Sequence, residues 1–232
     1  MTFNVVEIFC SIEGEGKRAG VLAQFIRLAG CNLRCSYCDT KYAWDADCID
    51  FTFKQLTIPQ ILASLREDVK AVTITGGEPL LAKNVEKLIA SLIECGFVVN
   101  IETNGAVDLS PFQKVCNDGG KLFFTIDYKL PSSGMEPYMK KNNFLNLTEF
   151  DVIKYVVGSD EDVTAMLNTI QYFNKYYSEC QKPMPQIYIG VVWGNFSAEK
   201  IVDIMKDNQS LINAHLQLQL HKFIWNPNQK GV

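Results

Sequence analysis

Three cysteines stand within eight positions in Cys31-Asn32-Leu33-Arg34-Cys35-Ser36-Tyr37-Cys38, a C-x₃-C-x₂-C spacing with an aromatic residue before the third. Thiolates held that close suit a soft metal centre. A structural zinc site or a closed iron–sulfur cluster takes four protein ligands, so three leave one metal position open to a second molecule. Cys48 could complete a four-cysteine zinc site with Cys31, Cys35 and Cys38, a non-catalytic alternative, although paired C-x₂-C knuckles are absent. Cys10, Cys95, Cys116 and Cys180 are single and scattered and are expected as buried structural thiols.

The chain around this stretch is ordinary in bulk. Its 232 residues, 47% hydrophobic and 21% charged, suffice for a real core. Without repeats or a linker-like tract, residues 1–232 read as one domain. A net charge of −4 and no basic run longer than two argue against a nucleic-acid surface. No signal peptide opens the sequence and no apolar stretch reaches the ~18 residues of a membrane span, so a cytoplasmic protein is expected. Cysteines there are thiols or metal ligands rather than disulfides.

Short segments rich in Val, Ile, Leu and Phe predict strands at 21–29, 71–75, 97–102, 122–127, 152–157, 186–192 and 216–220. Helical spacing separates them at 57–68, 85–95, 159–177 and 197–208, with a cap at Thr57 followed by proline and acidic residues after Ser159 suited to a helix N-terminus. This alternation predicts parallel βα units. A closed eight-fold barrel takes ~250 residues, so six or seven mostly parallel strands point to a partial, open (βα) barrel, with a doubly wound sheet as the rival. Asn100, Glu102 and Asn104 share one strand face, as do Thr125, Asp127 and Lys129, and Gln217, Gln219 and His221. A polar face in a parallel sheet suits a wet, ligand-filled lumen, and a solvent-facing sheet is the alternative.

Active sites of parallel α/β folds lie at the carboxyl ends of the strands. The unusual residues fall there: the cysteine loop after 21–29, Gly76-Gly77-Glu78-Pro79 after 71–75, Glu102-Thr103-Asn104-Gly105, and Asp127-Tyr128-Lys129. Four strand ends carry glycine, carboxylate, amide or lysine where a ligand would sit. They predict one shared site.

The cysteine motif followed by Gly-Gly-Glu-Pro resembles the radical S-adenosylmethionine (SAM) superfamily. That resemblance implies a [4Fe–4S] cluster on Cys31, Cys35 and Cys38, with SAM on the open iron and one-electron cleavage of SAM starting the reaction. The stretch Glu7-Ile8-Phe9-Cys10-Ser11-Ile12-Glu13-Gly14-Glu15-Gly16, the Cys38-Asp39-Thr40 continuation and the ending Gln219-Leu220-His221-Lys222-Phe223-Ile224-Trp225 are similar to the 7-carboxy-7-deazaguanine synthase family, along nearly the whole chain. What this implies is conversion of 6-carboxy-5,6,7,8-tetrahydropterin to 7-carboxy-7-deazaguanine with loss of ammonia, in queuosine and 7-deazapurine biosynthesis. It also implies Mg²⁺, a homodimer, and an electron donor such as flavodoxin or ferredoxin. Another radical SAM enzyme, such as a glycyl-radical activase, is the alternative within the superfamily.

By the same resemblance, Thr40 is expected to hold Mg²⁺, and Tyr37, Cys38, Asp39, Gly77, Glu78, Glu102, Asn104, Asp127, Tyr128 and Lys129 to contact SAM. Substrate contacts are expected from Ile12, Glu13, Gly14, Glu15, Arg27, Thr75, His221 and the terminal Val232. Arg27 also stands out physically, as a charged residue within the apolar run Phe25-Ile26-Arg27-Leu28 whose guanidinium could grip a carboxylate. Glu13 is expected to act through its backbone, and no side-chain acid or base is assigned. His215 is expected to be structural.

Overall fold

The computed structural model describes residues 1–113 and 120–232. Nine strands form one sheet: β1 (Phe3–Ile12), β2 (Leu22–Leu28), β3 (Lys54–Leu56), β4 (Ala71–Gly76), β5 (Val98–Thr103), β6 (Leu122–Tyr128), β7 (Val152–Val157), β8 (Gln186–Val191) and β9 (Ala214–Leu216), in the order β3-β1-β2-β4-β5-β6-β7-β8-β9. From β2 to β9 every pairing is parallel. This seven-stranded run is the partial barrel expected. The antiparallel strands β1 and β3 add to one edge and were not predicted.

The helices begin where the caps place them. Thr57 and Gln60 form a reciprocal capping box at the helix Ile58–Ala63. That helix ends five residues before the predicted limit. The helix Val85–Glu94 buries Val85, Leu88, Ile89, Leu92 and Ile93 on one stripe. Ser159 accepts from the Asp162 N–H at the start of Asp160–Glu179, and Ser197 from the Lys200 N–H at Ala198–Asp207.

Strand alternation divides the side chains. Val72, Ile74, Val99, Ile101, Phe124, Ile126, Ile153, Tyr155 and Val157 join the buried core. Thr75, Glu102, Thr125, Asp127 and Lys154 face a cavity instead. The polar faces therefore line a lumen rather than bulk solvent.

Two predictions about cysteines and strands change. Cys95 and Cys180 are exposed, because both fall at helix C-caps, and Cys116 lies outside the described residues. The strand expected at 216–220 is only Ala214–Leu216, with a short helix at Leu220–Ile224. Gln217 and Gln219 instead hydrogen-bond to the β1–β2 loop. Gln217 Oε1 accepts from the Gly16 N–H at 2.9 Å, Gln219 Nε2 donates to Glu15 at 2.7 Å, and the Leu220 N–H donates to the Gly14 carbonyl at 3.1 Å. The open side of the barrel is thus crossed by a loop and not by a strand.

Candidate active site

A cavity of 720 Å³ occupies the lumen and opens at the carboxyl ends of the strands. Ligand sites run about 300–1,000 Å³, so it has room for more than one small molecule. At one end stand Cys31, Cys35 and Cys38, on the loop after β2. This loop is fixed from the β4 side. Gly30 accepts from the Glu78 N–H at 2.8 Å, and a Cβ on Gly77 would lie 2.4 Å from the Gly30 carbonyl oxygen and 2.7 Å from Cys31 Cβ. Only glycine permits that approach.

Donors already aim at the sulfurs. The Leu33 N–H lies 3.4 Å from Cys31 Sγ, Asn104 Nδ2 lies 3.7 Å from it, and Trp44 Nε1 donates to Cys38 at 3.4 Å. Burial raises the pKa of the Cys31 and Cys35 thiols, so thiolates there need a compensating positive charge, which a bound metal centre supplies. Three thiols on one cavity wall with N–H groups around them fit an iron–sulfur cluster. Thr40 also faces the cavity and donates its hydroxyl to Asp39 Oδ1 at 2.8 Å, leaving its oxygen lone pairs available to a hard cation.

At the other end the strand-end polar groups meet as predicted. Arg27 donates Nε to Glu7 at 2.7 Å, and Tyr42 donates to the same oxygen at 2.9 Å, which fixes the guanidinium plane. Thr75, in register with Arg27, donates to Glu102 at 2.7 Å. Glu102 therefore stands with Arg27 and Thr75, deeper than Asn104, which contacts the cysteine loop. Ile12, Gly14, Glu15, His221 and Val232 line the same cavity. A Cβ on Gly14 would come within 2.8 Å of His221 Nδ1, so the loop glycine makes room for the imidazole. Burial lowers the His221 pKa and favours its neutral form. His215 stacks on Tyr188 with centroids 4.7 Å apart, the structural role expected.

Three expected contacts are placed differently. Tyr128 is 4% exposed and packs its ring against Phe144, Tyr155 and Phe173, because alternation turns it opposite to Asp127 and Lys129. Glu78 is 1% exposed and accepts from the Leu80 and Asn104 N–H groups and the Thr103 hydroxyl, so its side chain braces the loop and not a ligand. Glu13 uses its backbone N–H and C=O within the turn, to Val21 and from Gly20, both at 2.8 Å. Its buried carboxylate pairs with Arg18 at 3.0 Å and accepts from Thr73 at 2.7 Å. Arg18 continues to the Val72 and Val98 carbonyls at the amino ends of β4 and β5, closing the lumen floor.

Sequence reasoning passed over Lys154, Trp44 and Lys222. Lys154 carries the signal that exposed Arg27, a charge within an apolar run, here Val152-Ile153-Lys154-Tyr155-Val156. Trp44 and Lys222 become visible only when the chain folds, as donors to Cys38 and, at 3.4 Å, to Asp39.

A mostly parallel open sheet with three cysteines and a glycine-braced loop at its carboxyl end defines a radical SAM protein, and the Radical SAM superfamily profile matches residues 25–117. The chain is 47% identical to the 7-carboxy-7-deazaguanine synthase of Clostridium acetobutylicum over 100% of both chains. It is 37% identical to that of Methanospirillum hungatei, over 96% of this chain and 86% of that one. The chain belongs to the 7-carboxy-7-deazaguanine synthase family. Its fold is similar to the crystal structure of QueE from Escherichia coli, with a TM-score of 0.72 at 22% identity and 94% of each chain covered.

Proposed function

We propose that this protein converts 6-carboxy-5,6,7,8-tetrahydropterin to 7-carboxy-7-deazaguanine with release of ammonia. The observation that carries the reading is that Cys31, Cys35 and Cys38 share one cavity with Arg27, Thr75, Glu102 and His221. Full-length identity to synthases of that name supports it.

The cluster on the three cysteines and the SAM beside it supply, when bound, the one-electron cleavage that opens the reaction. The chain's residues do the rest by position. Arg27, turned by Glu7 and Tyr42, presents its outer nitrogens to the substrate carboxylate as a two-pronged donor. Glu102 and Thr75 meet the pterin ring beside it, and Glu15 and His221 hold its far edge. Gly77, Asn104, Asp127 and Lys129 meet SAM, and Thr40 holds Mg²⁺. In this reading the enzyme works in the cytoplasm as a homodimer, with flavodoxin or ferredoxin as electron donor.

The test is an anaerobic assay with the carboxytetrahydropterin, SAM, Mg²⁺ and dithionite, in which the deazaguanine product is expected. SAM cleavage indifferent to the pterin but stimulated by a protein partner would replace this reading with an activase. One zinc and no iron in the purified protein would end both.

A further inference from the structure

Lys154 lies at the centre of the cavity, and nothing in the function above uses it. Its Nζ is 2.6 Å from Glu15 Oε2 on the β1–β2 loop and 3.7 Å from Asp127 Oδ2 on β6, its in-register neighbour. The lysine and Glu15 side chains are each 13% exposed and Asp127 is 23% exposed, so water screens these charges little. Glu15 reaches onward to Gln217 and Gln219, beside His221. Asp127 reaches onward to Lys129 at 3.0 Å, whose charge acts on Cys35. One ammonium is therefore shared by a carboxylate of the pterin end and a carboxylate of the SAM end. Burial works against its charge, but Asp127, Glu15 and Glu102 raise its pKa well above the ordinary lysine value. It is a fixed cation and not a base.

We infer that Lys154 is a positioning residue that couples the two halves of the site, so that SAM and the pterin strengthen each other's binding through the Asp127–Lys154–Glu15 chain. A ligand that draws Asp127 into its own hydrogen bonds removes the weaker of the two pulls on Lys154 and leaves it wholly to Glu15, already 2.6 Å away, which then holds one orientation for the pterin. Linkage makes the effect reciprocal. The inference rests on the assignment of pterin and SAM to the two ends of the cavity.

The experiment is equilibrium binding of the carboxytetrahydropterin to the cluster-loaded protein, without reductant, in the presence and absence of SAM. Coupling energies between ligands commonly correspond to about 5–150-fold, and SAM is expected to tighten pterin binding at least about fivefold in the native protein. In Lys154→Met the pterin affinity is expected to fall about 10–100-fold, since Glu15 loses its ion-pair partner, and the factor due to SAM to fall toward one. Lys154→Arg is expected to restore most of both. If Lys154→Met does not yield folded, cluster-loaded protein, Lys154→Gln, a neutral donor, takes its place. A native protein that binds no pterin overturns the functional assignment. Pterin binding with a SAM factor near one, or a factor unchanged in the variant, overturns the coupling alone.

Discussion

Among the carboxylates that line the cavity, Glu13, Glu15, Glu102 and Asp127 differ in the cation each meets, and this separates their roles. Glu13 has Arg18, Glu15 has Lys154 and Asp127 has Lys129, whereas Glu102 has the Thr75 hydroxyl and no ion pair within 4.0 Å among the described residues. Burial raises the Glu102 pKa. Burial and then the Glu102 charge push Glu13 up to about 7, despite Arg18 and Thr73. Its sign follows from proton counting. Between the ordinary glutamate value of 4.5 and about 7, the unfolded chain gives up this proton before the native protein does, so Glu13 costs stability as pH rises through that window. Glu13→Gln takes the counter-ion from Arg18 and is expected to lower the urea midpoint, by a deficit that shrinks from pH 5 to pH 8. A deficit that grows with pH would refute the assignment. At the metal end, Cys35→Ala is expected to abolish the brown cluster. Thr40→Ala should keep the cluster and raise the Mg²⁺ needed for half-maximal rate, on the order of tenfold for a lost ligand. An unchanged Mg²⁺ response would remove Thr40 from the metal site.

The loop between β4 and the helix Val85–Glu94 shows how an element holds the site without touching substrate chemistry. Gly76 and Gly77 bring it against Leu28 and Gly30, and Glu78 pins it to β5. A methyl on Gly77 meets a backbone carbonyl that cannot move without moving Cys31. Gly77→Ala should cost about 1–3 kcal/mol, read as a lower urea midpoint, with cluster content reduced in parallel. Full cluster content in Gly77→Ala would show that the loop does not set the cysteines. Elements of this kind were legible where a local rule governs them. The helices opening at Thr57, Ser159 and Ser197 and six of the seven parallel strands follow from the cap, the acidic first turn and the apolar runs. Strand β1 escaped because the register shift between Val5 and Glu7 breaks its two-residue alternation. The sequence Gln217-Leu218-Gln219-Leu220 alternates like a strand, but its glutamines are turned by partners about two hundred residues away. Much of the site was legible as residue types at strand ends. Their pairing was not, because register between strands decides that Asp127 meets Lys154 and that Arg27 stands beside Thr75.

Among the described residues the molecule is one open sheet whose margins, β3 and β9, do not pair. The β1–β2 loop spans them: Arg18 reaches under β4 and β5, Lys17 donates to the Phe150 carbonyl ahead of β7, and Gly14, Glu15 and Gly16 bond to residues 217–220. Gln217 is the buried one of residues 217–220, 7% exposed, with the Gly16 N–H on one atom and Glu15 on the other. Gln217→Ala strands a buried N–H, at a cost of about 1–3 kcal/mol. It should speed amide exchange at Gly16 and raise the KM for the pterin more than it lowers kcat; exchange at Gly16 equal to that of the native protein would show the tie to be dispensable.

The span also sets an order in time. Gly14, Glu15 and Gly16 can make their bonds to residues 217–220 only after those residues have followed, a loop closure of about two hundred residues and so among the slowest contacts to form. The cysteine loop takes its bracing from β4, β5 and residues 132–135, all well before residue 217. A growing chain can therefore place the cysteines together with Arg27, Thr75 and Glu102 before His221 arrives, and the chamber in which a radical would be generated is walled only once residues 217–220 tie down the β1–β2 loop.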